Sequence, residues 1–98
     1  MSKEYLKNPH PGEILKEEFI VPLGISQNEL AQMIFVPSNR IHDIIRGKRR
    51  ITANTDLRLC KLFGLSKGFF LRLQGRYDAL EEERKWCSDI DKIIPLNI

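Results

Sequence analysis

Ser26-Gln27-Asn28-Glu29-Leu30-Ala31-Gln32-Met33-Ile34-Phe35-Val36-Pro37-Ser38-Asn39-Arg40-Ile41-His42-Asp43-Ile44-Ile45-Arg46-Gly47-Lys48-Arg49-Arg50 is the stretch that decides the fold. Ser26 and Glu29 form a capping box, in which each side chain satisfies a free amide at a helix start. Leu30, Ala31 and Ile34 fall on the inward face of the helix that follows, which ends near Phe35. About four residues later, after Val36-Pro37, a second helix opens with Ser38, Asn39 and Arg40. Ile41, Ile44 and Ile45 recur at one-turn spacing along it, and Gly47 closes it. Ala31 is small where that second helix must cross closely.

Two short helices joined by a tight turn predict a helix-turn-helix over about residues 26–46, whose second helix lies in the DNA major groove. The polar face of that helix holds Ser38, Asn39, Arg40, His42, Asp43 and Arg46. Ser38, Asn39 and Arg40 occupy its first turn, which points at base edges. Asn pairs bidentately with adenine and Arg with guanine, each worth about 1–3 kcal/mol of discrimination. Asp43, one turn on, either accepts from a cytosine amino group or pairs with Arg46 or Lys48. The expected base-reading set is Ser38, Asn39, Arg40 and Asp43. Gln27, at the amino end of the first helix, can present its amide to a phosphate. Arg46, Lys48, Arg49 and Arg50 can neutralise phosphates without reading sequence. His42 either touches a phosphate or faces solvent.

Outward from this unit the chain reads as more helix. His10-Pro11-Gly12 precedes a first helix in which Ile14, Leu15 and Phe19 form the apolar stripe, and Pro22 and Gly24 are expected to end it. His10 reads as a turn or cap residue, since no second metal ligand lies within a helical turn. A fourth helix starts with Thr52 as its cap and runs through Leu57, Cys60 and Phe63 to Gly64. A fifth begins at Ser66 and carries Phe69, Phe70, Leu73, Tyr77 and Leu80. The stripe Phe69, Phe70, Leu73 and Tyr77 is too apolar for one face of a small domain, so these four are candidates for a dimer interface as well as for core. Glu81 and Lys85 form a favourable pair, so the helix can continue past residue 80. A short apolar tail, about 86–98, holds Trp86, Ile93, Ile94 and Leu96, and within it Asp89 to Ile98 reads as a short strand or an extended segment. Burial is expected for it, against the chain's own bundle or a second copy.

The 98 residues are enough for one domain, and 42% apolar with 30% charged is ordinary globular composition. The net charge of +3 hides a division: residues 38–76 hold ten basic and two acidic side chains, whereas residues 77–98 hold three basic and six acidic. Basic charge concentrated in one segment is the footprint of phosphate binding. No apolar run is long enough to span a bilayer, and the amino terminus has no secretory h-region, which points to a cytoplasmic, nucleoid-associated protein. Cys60 and Cys87 lack metal-ligand spacing and read as reduced thiols, Cys60 as a small buried residue. No paired carboxylates, catalytic triad ordering or glycine-rich phosphate loop is visible, so neither an enzyme nor a cofactor or metal is expected.

The wider pattern resembles a known family. Ser26 to Gly47 looks like the helix-turn-helix of the Cro and λ-repressor class. His10-Pro11-Gly12-Glu13, Leu23-Gly24-Ile25-Ser26-Gln27, Gly47-Lys48-Arg49 with Ile51-Thr52-Ala53, and Leu71-x-Leu73-Gln74-x-x-Tyr77-Asp78 resemble HigA-type antitoxins, also called plasmid-maintenance antidote or VapI-like proteins. The likeness covers about residues 10–80. It implies an all-α, five-helix domain that dimerises, binds an inverted-repeat operator to repress its own operon, and silences a HigB-type mRNA endonuclease toxin by direct binding. A stand-alone regulator without a toxin, or a toxin inhibitor with weak DNA binding, are the other readings.

One residue departs from the family. Phe35 stands where these proteins usually carry glycine at the start of the turn. A bulky residue at positive φ is strained by about 1–2 kcal/mol. Either the turn takes another geometry, or Phe35 packs somewhere that compensates.

Overall fold

A computed structural model describes residues 7–97. The amino-terminal residues 1–6, read above as lacking a leader, and Ile98 of the tail lie outside the described residues. Five helices follow one another, and no strand occurs among the described residues. The first, α1, spans residues 11–23. His10 caps it, with Nδ1 accepting from the Gly12 amide at 3.0 Å. His10 is therefore the cap residue the sequence suggested, and its ring also meets Tyr77 edge-on at 5.0 Å.

Pro22 does not end α1; the helix runs through it to Leu23 and stops at Gly24, whose φ is 66°. A proline inside a helix lacks an amide donor, and its ring collides with the carbonyl four residues back. Here the helix widens over Leu15–Ile20, where the Val21 amide reaches the Lys16 carbonyl five residues back. The wider winding just ahead of Pro22 accommodates it without breaking the helix.

Helix α2 is Gln27–Met33, and both halves of its capping box are present at 3.0 Å. Helix α3 is Ser38–Ile45 and α4 is Ala53–Phe63, capped by Thr52. Helix α5 is Phe69–Asp91. It starts three residues later than the sequence suggested, because Ser66 to Gly68 form a turn closed by the Phe69 amide on the Ser66 carbonyl at 3.2 Å. The cap of α5 comes from another helix. Asp56, on α4 and 1% exposed, accepts from the amides of Gly68 at 2.7 Å, Phe70 at 2.9 Å and Leu71 at 3.3 Å. A buried carboxylate at a helix start meets the free amides and the positive end of the helix together.

The core gathers Leu15 and Ile20 from α1, Leu30, Ala31 and Ile34 from α2, Ile41 and Ile44 from α3, Leu59 and Cys60 from α4, and Phe70 from α5. Leu57 is not among them; at 47% exposed it lies on the outer side of α4, and Thr55 and Asp56 take the inward positions. Phe70 is fully buried, so it has no surface to offer a partner and is withdrawn from the dimer candidates. Phe69, Leu73 and Tyr77 are half-buried. Ile51 is pinned to α5 by Gln74, whose side chain accepts from the Ile51 amide at 2.6 Å and donates to its carbonyl at 2.9 Å.

Past Leu80, α5 leaves the bundle as an arm. It bends at Trp86, where φ is −120° and ψ is 19°, and its helix ends at Asp91, so that the first six residues of the predicted tail are helical. Residues 93–97 have no regular secondary structure. Ile93 is 70% exposed, and Ile94 and Leu96 are each 85% exposed, so the tail does not pack on its own bundle.

Candidate nucleic-acid interface

The placement of α3 begins with two isoleucines. Ile41 and Ile44 are both fully buried, and Ile45 is half-buried beside them. At about 100° per residue, this orients the helix so that Asn39, Asp43 and Arg46 lie opposite the core. Ser38 stands at the exposed entry, after Pro37, whose missing amide is harmless there. Gly12 sets how close α1 lies to α3. A Cβ on Gly12 would sit 2.0 Å from the Ile44 carbonyl oxygen, so only glycine fits where α1 crosses the backbone of α3.

Both flanks of α3 are tied to neighbouring helices. On one side Nε2 of His42 lies 2.9 Å from Oδ1 of Asn28 on α2. On the other, Nη1 of Arg40 donates to Oδ1 of Asn54 on α4 at 3.3 Å. Asn54 also accepts from Nε of Arg58 at 2.9 Å. Between these ties, the side chains of Ser38, Asn39, Asp43 and Arg46 make no hydrogen bond or ion pair among the described residues, and the last three form one outward stripe. Asp43 therefore does not pair with Arg46 or Lys48. Its backbone carbonyl instead accepts from the amides of Lys48 at 2.8 Å and Arg49 at 3.2 Å, which folds the basic run back against the end of α3. His42 is half-buried and held by Asn28 rather than loose in solvent.

The basic residues divide. Arg46, Lys48 and Arg49 are exposed beyond the end of α3, and Gln27 sits half-buried at the start of α2. Arg50, predicted with the phosphate group, is instead paired with Asp78 on α5 at 2.7 Å. That guanidinium holds the Asp78 carboxyl below its usual range. Arg58 donates to the carbonyl of Ile34 at 2.8 Å and reaches that of Phe35 at 3.5 Å. It thereby caps the end of α2 from α4.

The turn between α2 and α3 answers the question raised by Phe35. Its φ is 59°, so the turn keeps the left-handed geometry that favours glycine. Its side chain is 85% exposed, so no packing within the chain offsets the strain. The backbone compensates instead: the Phe35 amide reaches the Gln32 carbonyl at 3.2 Å, the Val36 amide reaches Ala31 at 3.0 Å, and Arg58 closes the remaining carbonyls. Asn28, Asn54, Asp56, Arg58 and Gln74 were not singled out for these roles by their spacing. Each acts across 12 residues or more, except where Asn54 meets Arg58 and Asp56 meets Cys60, and helical periodicity carries no such signal.

A recognition helix braced on both flanks, with an unpaired polar stripe and a basic run at its end, defines a helix-turn-helix protein, a non-enzymatic DNA-binding class. The chain matches the helix-turn-helix family over residues 15–70. Virulence-associated protein I of Dichelobacter nodosus is 44% identical over 88 residues, covering 90% of this chain and 81% of that protein. Among solved structures, an addiction-module antidote protein of the HigA family from Coxiella burnetii gives a TM-score of 0.84 at 40% identity, covering 93% of this chain and 100% of that one. The Pseudomonas aeruginosa antitoxin HigA, solved with the higBA promoter, gives 0.83 at 34%, covering 93% and 100%. This chain belongs to the helix-turn-helix family and, within it, to the HigA-type, VapI-like antitoxins.

Proposed function

We propose that the chain is a homodimeric repressor of its own toxin–antitoxin operon and that it neutralises a HigB-type mRNA endonuclease toxin by direct binding. The observation that carries the DNA half is the outward stripe of α3: Asn39, Asp43 and Arg46, with Ser38 at the entry, are unpaired in a helix otherwise fixed to its neighbours. Ser38, Asn39, Arg40 and Asp43 read bases; Gln27, His42, Arg46, Lys48 and Arg49 meet phosphates. Two copies place their α3 helices about 34–36 Å apart, one turn of DNA, on an inverted repeat. The related Pseudomonas antitoxin HigA was solved with the higBA promoter, which supports the choice of operator. No helix among the described residues is long and apolar enough to cross a membrane.

A mobility-shift titration against the DNA upstream of the gene, with unrelated DNA as competitor, tests the first half. A specific complex of two chains per site is expected; no binding above competitor would overturn it. The second half is tested by co-expressing the neighbouring gene's product with this chain. Rescue of growth together with a stable complex is expected, and rescue without a complex would restrict the function to transcriptional control.

A further inference from the structure

Arg40 holds a place on α3 unlike the other residues proposed to read bases. It lies about 100° round the helix from Asn39, on the flank of the exposed stripe, and is half-buried. A long arginine has many rotamers, and fixing one of them costs more freedom than in most side chains. Here the far end is fixed within the chain itself: Nη1 donates to Oδ1 of Asn54 at 3.3 Å. Asn54, exposed in the first turn of α4, is held in turn. Arg58, one turn further along α4, donates from Nε to the same oxygen at 2.9 Å, and its Nη1 is anchored on the Ile34 carbonyl at 2.8 Å. A series of bonds thus runs from the turn between α2 and α3, through Arg58 and Asn54, to the guanidinium of Arg40.

We infer that Asn54 is a positioning residue for base recognition: it aims the Arg40 guanidinium, with Arg58 as its anchor. A guanidinium can only donate, so two of them converging on one carboxamide fix its oxygen toward them. The choice of a neutral acceptor matters. Neither Arg40 nor Arg58 pairs with a carboxylate among the described residues, where the ion pairs are Arg50 with Asp78 and Lys92 with Asp89. A carboxylate would grip the cation harder and cancel its charge. An amide oxygen holds it and leaves the charge to act on the acceptors of a base edge. The bond at Nη1 also leaves Nε and Nη2 unbonded, and these two form the side fork that fits the two acceptors on the major-groove edge of guanine. A contact made through the end of so long a side chain constrains that side chain more than the helix behind it, since buried Ile41 and Ile44 already seat α3. This role rests on the base reading proposed for Arg40 and names what governs it.

The test joins side-chain order in the free protein to base preference on the operator. By nitrogen relaxation, the Nε–H of Arg40 is expected to be more ordered than those of exposed Arg46 and Arg49. Asn54→Leu, which keeps the bulk and removes the acceptor, is expected to lower that order, and Asn54→Asp, which keeps an acceptor, to retain it. Asn54 is exposed, so Asn54→Leu should melt within about 4 °C of the parent. In competition with base-substituted operators, Arg40→Ala is expected to erase discrimination at one G·C pair of each half-site. Asn54→Leu should reduce it about threefold to tenfold at that same pair and at no other. The double variant should lose no more than Arg40→Ala does alone. If Asn54→Leu leaves either the order of Arg40 or that discrimination unchanged, or weakens all sequences alike, the aiming role is overturned while base reading by Arg40 stands. If Arg40→Ala keeps full discrimination at every pair, base reading by Arg40 is itself overturned and the aiming role with it.

Discussion

Gly12 and Asn39 show how differently single residues serve this fold. Gly12 is a matter of space: a methyl group there meets the Ile44 carbonyl at 2.0 Å, so α1 or α3 must move. Gly12→Ala is expected to cost about 3 kcal/mol in urea denaturation, the scale of an overpacked core. A cost below about 1 kcal/mol would mean that the crossing is looser than described. Asn39 is a matter of chemistry. It is exposed and unpaired, so Asn39→Ala should leave the melting temperature unchanged and remove about 1–3 kcal/mol of discrimination at one base pair of each half-site. Lys48→Ala should weaken all sequences alike. Equal loss of specificity in both variants, measured by competition with base-substituted sites, would erase the division between reading and positioning residues. The capping box and the isoleucine stripe could be read from the sequence because both are written within one or two turns. The ties from Asn28 and Asn54 could not, since they depend on how helices come to lie side by side.

At the scale of the element, the sequence placed all five helices and erred where one helix completes another. Ser66 has the look of a helix start, yet α5 begins at Phe69 because Asp56 supplies its cap from α4. Pro22 has the look of a stop, yet the wider winding before it carries α1 onward. Asp56→Ala leaves three amides without their acceptor and is expected to destabilise the protein by about 3 kcal/mol. Gln74→Ala, which frees both backbone groups of Ile51, is expected to cost about 2 kcal/mol. Thermal or urea melts of the two variants decide this; losses of a few tenths would show that water replaces both bonds. Cys60 lies on the same buried face as Asp56, and burial pushes its thiol above the usual range. It should therefore resist alkylation at neutral pH until the chain unfolds.

For the whole molecule, charge governs the testable behaviour. On the proposed reading, in which Arg46, Lys48 and Arg49 of two copies each meet a phosphate, about six contacts predict an affinity drop of about 10³ between roughly 50 and 200 mM salt. A flat salt response would remove these residues from the DNA. The Arg50–Asp78 pair joins the basic run to α5. Because the Asp78 carboxyl is held below its ordinary 3.8, the pair's contribution is present above that pH and is lost as pH falls through the lower, folded value. Asp78→Asn should thus differ from the parent at neutral pH and converge with it in acid below pH 3.8. The division of the chain into a basic middle and an acidic end was visible in the composition. The course of the arm was not, because an exposed apolar tail has no pattern that separates a strand from an unpartnered segment.

The bracing of α3 has a consequence for how such proteins diversify. Ser38, Asn39, Asp43 and Arg46 support neither the core nor the ties that orient the helix. On the proposed reading, substitutions at Ser38, Asn39 and Asp43 change the address, and those at Arg46 the grip on phosphate, without disturbing the fold of the reader. Duplicated copies of such a gene in one cell can drift toward separate promoters and cease to interfere with each other, each step leaving a folded protein. A library randomised at the four positions should yield mostly folded chains, with selectable new operators among them.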